Sequence, residues 1–288
     1  MMTGIIAAVP TPFDAQGRFL ADAFLDHARW ALANGCDGLN ILGSTGEANS
    51  LDTATRRTVM AHAARSLDRD RLMVGTGTPS IRETTALTRH ADDLGYPVAL
   101  VLPPYYYNPS EEGLIAWYRA LDKALGDRPI RVWFYNFPQM TGFVIPEAVI
   151  AHLHKAAPRR FDGIKDSSGD LAYCRSLASR LPGLRVLPSS ETTLADGRRD
   201  GFAGCISATV NHTALLCARV WKGETALAPQ VADLRAAITA CPLIPAVKYL
   251  VSRRTGIPDW RNVLPPFTSL DPLAIASLDR LAVLRIAA

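Results

Sequence analysis

Lysine is scarce in this 288-residue sequence. Five (Lys123, Lys155, Lys165, Lys222 and Lys248) stand among 31 basic residues, so a reaction that needs an amine has few candidates. No stretch approaches the roughly 20 apolar residues of a membrane-spanning helix. The opening MMTGIIAAVPTPFD lacks the charged region and long apolar run of a secretory signal. A cytoplasmic protein with no membrane partner is therefore expected. The five cysteines (Cys36, Cys174, Cys205, Cys217 and Cys241) are odd in number, widely spaced and form no CxxC pair, which favours small core residues over disulfides. No His, Cys or carboxylate cluster has metal-ligand spacing, and His152 and His154, two apart, read as surface residues. There is no P-loop GK[ST], and Gly75-Thr76-Gly77 is only a fragment of a dinucleotide-binding turn. The net charge of +4 is spread out rather than clustered, so no nucleic-acid partner is expected. Chemistry with neither metal nor cofactor is the economical expectation.

Short runs rich in Val, Ile and Leu recur along the chain, each followed by an amphipathic stretch. They are Gly4–Val9, Gly38–Leu42, Leu72–Gly75, Val98–Leu102, Ile130–Tyr135, Phe161–Lys165, Leu184–Leu187 and Ala203–Ser207. Between the first two, Leu20, Phe24, Ala28 and Ala31 fall on one helical face. Ser80 and Glu83 have the spacing of a capping box, Ser110 caps the next helix, Gly126 closes it, and Pro146 suits the first turn of another. Eight such units indicate a parallel sheet buried on both faces, and eight is the number that closes a barrel. An α/β fold, the (β/α)₈ TIM barrel, is expected over residues 1–223. Residues 224–288 read as a C-terminal helical extension of the same domain, broken near Pro258 and Pro265-Pro266. An open doubly wound sheet is the alternative.

In such barrels the C-terminal strand ends carry the active site. Here those ends carry Gly43-Ser44-Thr45-Gly46-Glu47, Tyr105-Tyr106-Tyr107, Tyr135-Asn136, Lys165-Asp166, Ser189-Ser190-Glu191 and Ser207. Lys165 follows an apolar run, so its side chain is expected inside the barrel, as half of an ion pair or as a nucleophilic amine. Burial favours the neutral form of an amine and so favours the second role. The other four lysines lie in helical patterns and read as solvated ammonium groups. Ser44 and Thr45 offer hydroxyls and freed N–H groups suited to a carboxylate, or simply a tight turn. Tyr135 can pass protons if a hydroxyl partner lies within reach, and is otherwise a core aromatic.

These segments resemble the dihydrodipicolinate synthase and N-acetylneuraminate lyase family over nearly the whole chain. The resemblance rests on Gly4…Pro10-Thr11-Pro12-Phe13, Gly43-Ser44-Thr45-Gly46-Glu47, Pro104-Tyr105-Tyr106, Tyr135-Asn136-Phe137-Pro138, Gly163-Ile164-Lys165-Asp166-Ser167-Ser168-Gly169-Asp170 and Pro242-Leu243-Ile244-Pro245-Ala246-Val247-Lys248, in that order. It implies that Lys165 forms a Schiff base with a keto acid. Tyr135 would be the acid/base, relayed through Ser44 and through Tyr106, often supplied by a neighbouring subunit. Ser44 and Thr45 would hold the keto-acid carboxylate, with Ile206 lining the pocket. A homotetramer built as a dimer of dimers is also implied.

Two departures bear on substrate. The synthases place an arginine five residues after the tyrosine, to grip the carboxylate of aspartate semialdehyde. Met140 stands there instead, and Ser189 replaces a glycine frequent at the end of strand seven. Methionine cannot donate a hydrogen bond, so unless another arginine swings in, a second carboxylate loses its anchor. Gln139, Met140, Thr141, Ser189, Ser190 and Ser207 are the residues expected around the far end of the substrate. The leading expectation is an aldolase or dehydratase acting on a 2-keto-3-deoxy sugar acid, with pyruvate as product or co-substrate. A dihydrodipicolinate synthase and a non-catalytic keto-acid sensor are the alternatives.

Overall fold

The computed structural model describes residues 2–283; residues 284–288 of the expected extension, like Met1, lie outside the described residues. Eight parallel strands run β1 Gly4–Ala8, β2 Gly38–Ile41, β3 Leu72–Gly75, β4 Val98–Val101, β5 Arg131–Asn136, β6 Gly163–Asp166, β7 Arg185–Pro188 and β8 Gly204–Ser207. Each lies within a residue or two of an apolar run in the sequence. The sheet is ordered β7-β6-β5-β4-β3-β2-β1-β8, and the Ala203 N–H donates to the Val186 carbonyl across the seam between β7 and β8. Alternating helices cover the outside, so strand residues on both faces are buried. The fold is a nearly closed (β/α)₈ barrel with further helices at its C-terminal end.

The helices are α1 Ala21–Ala33, α2 Thr53–Ser66, α3 Ile81–Asp93, α4 Glu111–Leu125, α5 Pro138–Thr141, α6 Glu147–Ala156, α7 Leu171–Arg180, α8 Leu194–Gly197, α9 Val210–Trp221, α10 Ala228–Thr239, α11 Leu243–Thr255 and α12 Pro272–Val283. Local signals set several of their ends. Ser110 accepts from the Gly113 N–H to start α4, and Gly126, at φ 57°, ends it. Ser80 likewise caps α3, but the reciprocal half of the box is missing, because the Glu83 carboxylate instead accepts from the Thr53 hydroxyl at 2.5 Å. Pro146 caps α6 and is not in its first turn. His152 is exposed, whereas His154 is buried between the carbonyls of Phe161 and Pro182, which corrects the surface assignment. All five cysteines are free, four of them buried.

The strand register resolves the barrel interior into layers. In an eight-stranded barrel of this kind, alternate strands contribute four side chains to each level. Ile6, Met73, Trp133 and Leu187 form one level. Above them, toward the C-terminal strand ends, lie Asn40, Leu100, Lys165 and Ile206, and above these Ala8, Gly75, Tyr135 and Ser189. Below, glycine makes room for large side chains: a Cβ on Gly163 would lie 2.4 Å from the Trp133 ring. That indole is fixed by its Nε1–H donating to Asp162 at 2.7 Å. The barrel is therefore a cup, closed at the floor and open at one rim.

Helices α10–α12 pack over that rim through Ile238, Ala246, Val247, Leu250 and Leu278. Two charged residues of α11 clamp it to the barrel. The Lys248 ammonium donates to Glu47 at 2.6 Å, both side chains being fully buried, while the other Glu47 oxygen accepts from the Leu264 N–H. Arg254 donates to His27 Nδ1 at 2.7 Å, and His27 Nε2 lies 2.9 Å from the Asn211 carboxamide oxygen. Among the described residues no single helix is long and apolar enough to cross a membrane.

Candidate active site

Lys165 is the third residue of β6 and pairs in register with Tyr135 on β5. Strand alternation turns its neighbour Asp166 away from the barrel interior. There the Asp166 carboxylate accepts from the Asn136 carboxamide at 2.6 Å and from the Ser168 N–H and hydroxyl. The adjacent acid is thus occupied in fixing the strand ends. Lys165 is 4% exposed and its ammonium sits 4.4 Å from the centre of the Tyr135 ring. Among the described residues it has no hydrogen-bond or ion-pair partner.

The Tyr135 hydroxyl lies 3.4 Å from Ser44 Oγ, a long contact that a small inward shift would tighten. Ser44 opens a single 3₁₀ turn, Ser44–Gly46, whose first N–H groups have no acceptor within the turn. Positive φ at Leu42 (54°) and Glu47 (56°) brackets this loop, and such backbone strain concentrates where geometry serves function. Gly75 is required beside it, because a Cβ there would lie 2.1 Å from the Leu42 carbonyl oxygen. Asn40 shares the Lys165 layer, and its buried carboxamide has no partner among the described residues.

A cavity of about 580 Å³ opens above these groups. Ser44, Thr45, Tyr135, Lys165, Met140, Thr141, Ser189 and Ile206 line it, so eight of the candidate residues from sequence converge. Four others, Ser190, Ser207, Gln139 and Tyr106, do not. Ser207 is 1% exposed and donates to Glu191 at 2.6 Å, because alternation along β8 turns it away from the face that Ile206 presents. The Gln139 side chain points outward and donates to the Ser168 carbonyl. Tyr106, at φ 91° and 89% exposed, stands clear of its own chain's cavity; Tyr105 lines it instead. Of the flanking hydroxyls, Thr141 is spent on the carbonyls of Phe137 and Phe143, and Ser190 caps the short turn after β7.

Two features were missed from sequence. Lys248 is buried, not solvated; burial lowers its pKa against the pull of Glu47. The apolar residues on both sides of it, Ala246-Val247 and Tyr249-Leu250-Val251, were the available signal. Arg235, on α10, lines the cavity, and nothing local marks it as different from any other helical arginine. Its Nη1 donates to Glu191 at 2.8 Å, Ser207 at 3.1 Å and Thr209 at 3.0 Å. Among the described residues no three His, Cys, Asp or Glu side chains gather as a metal site.

The Dihydrodipicolinate synthetase family model matches residues 1–281. An uncharacterized DapA-like lyase of Chloroflexus aurantiacus is 33% identical, covering 99% of this chain and 95% of that one. A 4-hydroxy-tetrahydrodipicolinate synthase of Rhodospirillum centenum is 36% identical over 81% of this chain and 80% of its own. Among solved structures, YagE, a prophage protein of the dihydrodipicolinic acid synthase family from E. coli K12 in complex with pyruvate, superposes with a TM-score of 0.90 at 27% identity, covering 99% and 98% of the two chains. With its barrel, its cavity and these relatives taken together, the chain belongs to the dihydrodipicolinate synthetase family and is a lyase.

Proposed function

We propose that this lyase cleaves or dehydrates a hydroxylated 2-keto acid, a 2-keto-3-deoxy sugar acid, through a Schiff base on Lys165. The observation that carries the reading is a buried lysine without an acidic partner among the described residues, 4.4 Å over the ring of a tyrosine that is itself 3.4 Å from Ser44. The N–H groups and hydroxyls of Ser44 and Thr45 hold the C1 carboxylate. The neutral Lys165 amine adds to the C2 carbonyl, and loss of water gives an iminium. In cleavage, a proton leaves the C4 hydroxyl, the C3–C4 bond breaks, and its electrons pass into the iminium as an enamine. An aldehyde departs. The enamine takes a proton at C3, and water hydrolyses the resulting iminium to release pyruvate and restore the amine. In dehydration, a C3 proton and the C4 hydroxyl are lost instead. Tyr135, backed by Ser44, carries these protons. Tyr106 of a neighbouring copy completes the relay in a dimer of dimers, which the outward stance of Tyr106 and Tyr107 suits.

Condensation of pyruvate with aspartate semialdehyde is the second reading, favoured by the name of the Rhodospirillum relative. Met140 in the cavity wall weighs against it. A charge-assisted hydrogen bond contributes about 1.5–3 kcal/mol, which is roughly ten- to hundredfold in affinity. We expect poor condensation, better turnover of a sugar acid, and a gain of about tenfold in condensation for Met140→Arg. Measuring kcat/KM for both reactions decides. Efficient condensation by the wild type with rejection of every sugar acid tried would overturn the first reading.

A further inference from the structure

The far end of the cavity is mostly apolar, walled by Leu243, Ile244 and Phe267 from the C-terminal segment, with one guanidinium set among them. Among the described residues three charged side chains line the cavity: Glu47, Lys165 and Arg235. Glu47 is consumed by Lys248 and the Leu264 N–H, and Lys165 is assigned to the keto carbon. Arg235 remains. Its three hydrogen bonds all leave from Nη1, toward Glu191, Ser207 and Thr209. The fork edge formed by Nε and Nη2 has no partner among the described residues, and the side chain keeps 23% of its surface.

We propose that Arg235 anchors the tail of the substrate, and that the tail ends in a carboxylate. The Nε–Nη2 edge offers two parallel donors, which a carboxylate fills with both oxygens and a hydroxyl fills with one. Glu191 does not cancel the site. It lies fully buried behind the guanidinium, and the hydroxyls of Ser207, Thr209 and Thr213 also donate to it, so part of its charge is met by groups other than Arg235. Its role is to hold the arginine still with the other edge outward. The apolar surroundings strengthen whatever pairs with that edge. A cation reaches the cavity from α10, although the familiar position after Tyr135 carries Met140. Within the sugar-acid class this selects a 2-keto-3-deoxy diacid over a chain ending in CH₂OH.

The proposal rests on the Schiff-base reading, and the test separates the two. Keto acids of equal length, 2-oxoglutarate against 2-oxopentanoate and 2-oxoadipate against 2-oxohexanoate, are titrated for borohydride trapping on Lys165 and read by peptide mass. In the wild type the diacid should half-saturate labelling at a concentration at least tenfold below its methyl-ended partner, for one of the two lengths. Arg235→Gln should shrink that ratio about tenfold, and Arg235→Lys, which keeps the charge without the fork, should fall between. A wild type that favours the methyl-ended acids at both lengths, or a ratio unmoved in Arg235→Gln, overturns the anchor. Absence of labelling by every keto acid, pyruvate included, overturns the Schiff-base reading and the anchor with it.

Discussion

Two lysines are buried in this barrel, and they have opposite surroundings. Lys248, on α11, meets Glu47 at 2.6 Å and lies 4.4 Å over the Phe13 ring. Lys165, on β6, has its own aromatic ring at the same 4.4 Å but no carboxylate partner among the described residues. The first is the ion pair that a buried ammonium ordinarily requires. The second lacks that pairing, which is what the proposed Schiff base requires. Burial alone does not separate the two; the presence or absence of a carboxylate does, and with it the division between the seam that holds α11 and the mouth proposed to do the chemistry.

The comparison is sharpest when each amine is removed. Lys165→Ala should abolish keto-acid labelling and reduce turnover to background while the protein melts cooperatively. Lys248→Met should do the reverse: it strands a buried carboxylate and should cost about 3–5 kcal/mol in urea unfolding, the scale for breaking a buried pair. The fraction that folds should still label at Lys165. Covalent trapping at Lys248 in the wild type or in Lys165→Ala would erase the distinction. Next in size, Tyr135→Phe should lower kcat by roughly 10²-fold or more, since it removes a positioned proton carrier and little packing. Near-normal turnover would show that another group moves the proton.

The smallest effect probes the seam by pH. Burial depresses His27 to a pKa of about 3 and His212 to about 4, from an ordinary 6.5, and Arg254 beside them adds to the depression. In the unfolded chain both take up protons below pH 6.5, whereas in the fold they stay neutral. Stability is therefore complete above pH 6.5 and is lost as pH falls toward 4, by about 2 kcal/mol per histidine at pH 5. His27→Gln should roughly halve that loss in urea midpoints between pH 6.5 and 5, because His212 still contributes its share. A midpoint independent of pH over that range in the wild type would contradict the neutral, buried state of both rings.

Much of this was legible in advance because a barrel strand, packed on both faces, writes itself as an apolar run. β3 was placed at both ends, and Lys165 was expected inside the barrel because an amine directly after Gly163-Ile164 has nowhere else to go, which is where it lies. What escaped depends on direction or on distant partners. Three consecutive tyrosines give no clue to which one turns inward. Lys248 and Glu47 stand far apart in sequence, so their pairing is invisible there, although the apolar residues flanking Lys248 signalled its burial. Arg235 faces the cavity only because α10 folds back across the rim. Ser207 was within reach, since strand alternation sets it opposite Ile206, but polarity was given more weight than period.

The closed floor has a consequence for the order of events. Trp133, seated against Gly163, fills the floor of the cup, and the cavity that Lys165 lines opens toward the opposite rim. On the proposed cleavage a substrate entering from that rim goes in keto end first, and the aldehyde it loses would stand between the half held on Lys165 and the exit. The aldehyde would then leave before pyruvate: the piece that goes in first comes out last.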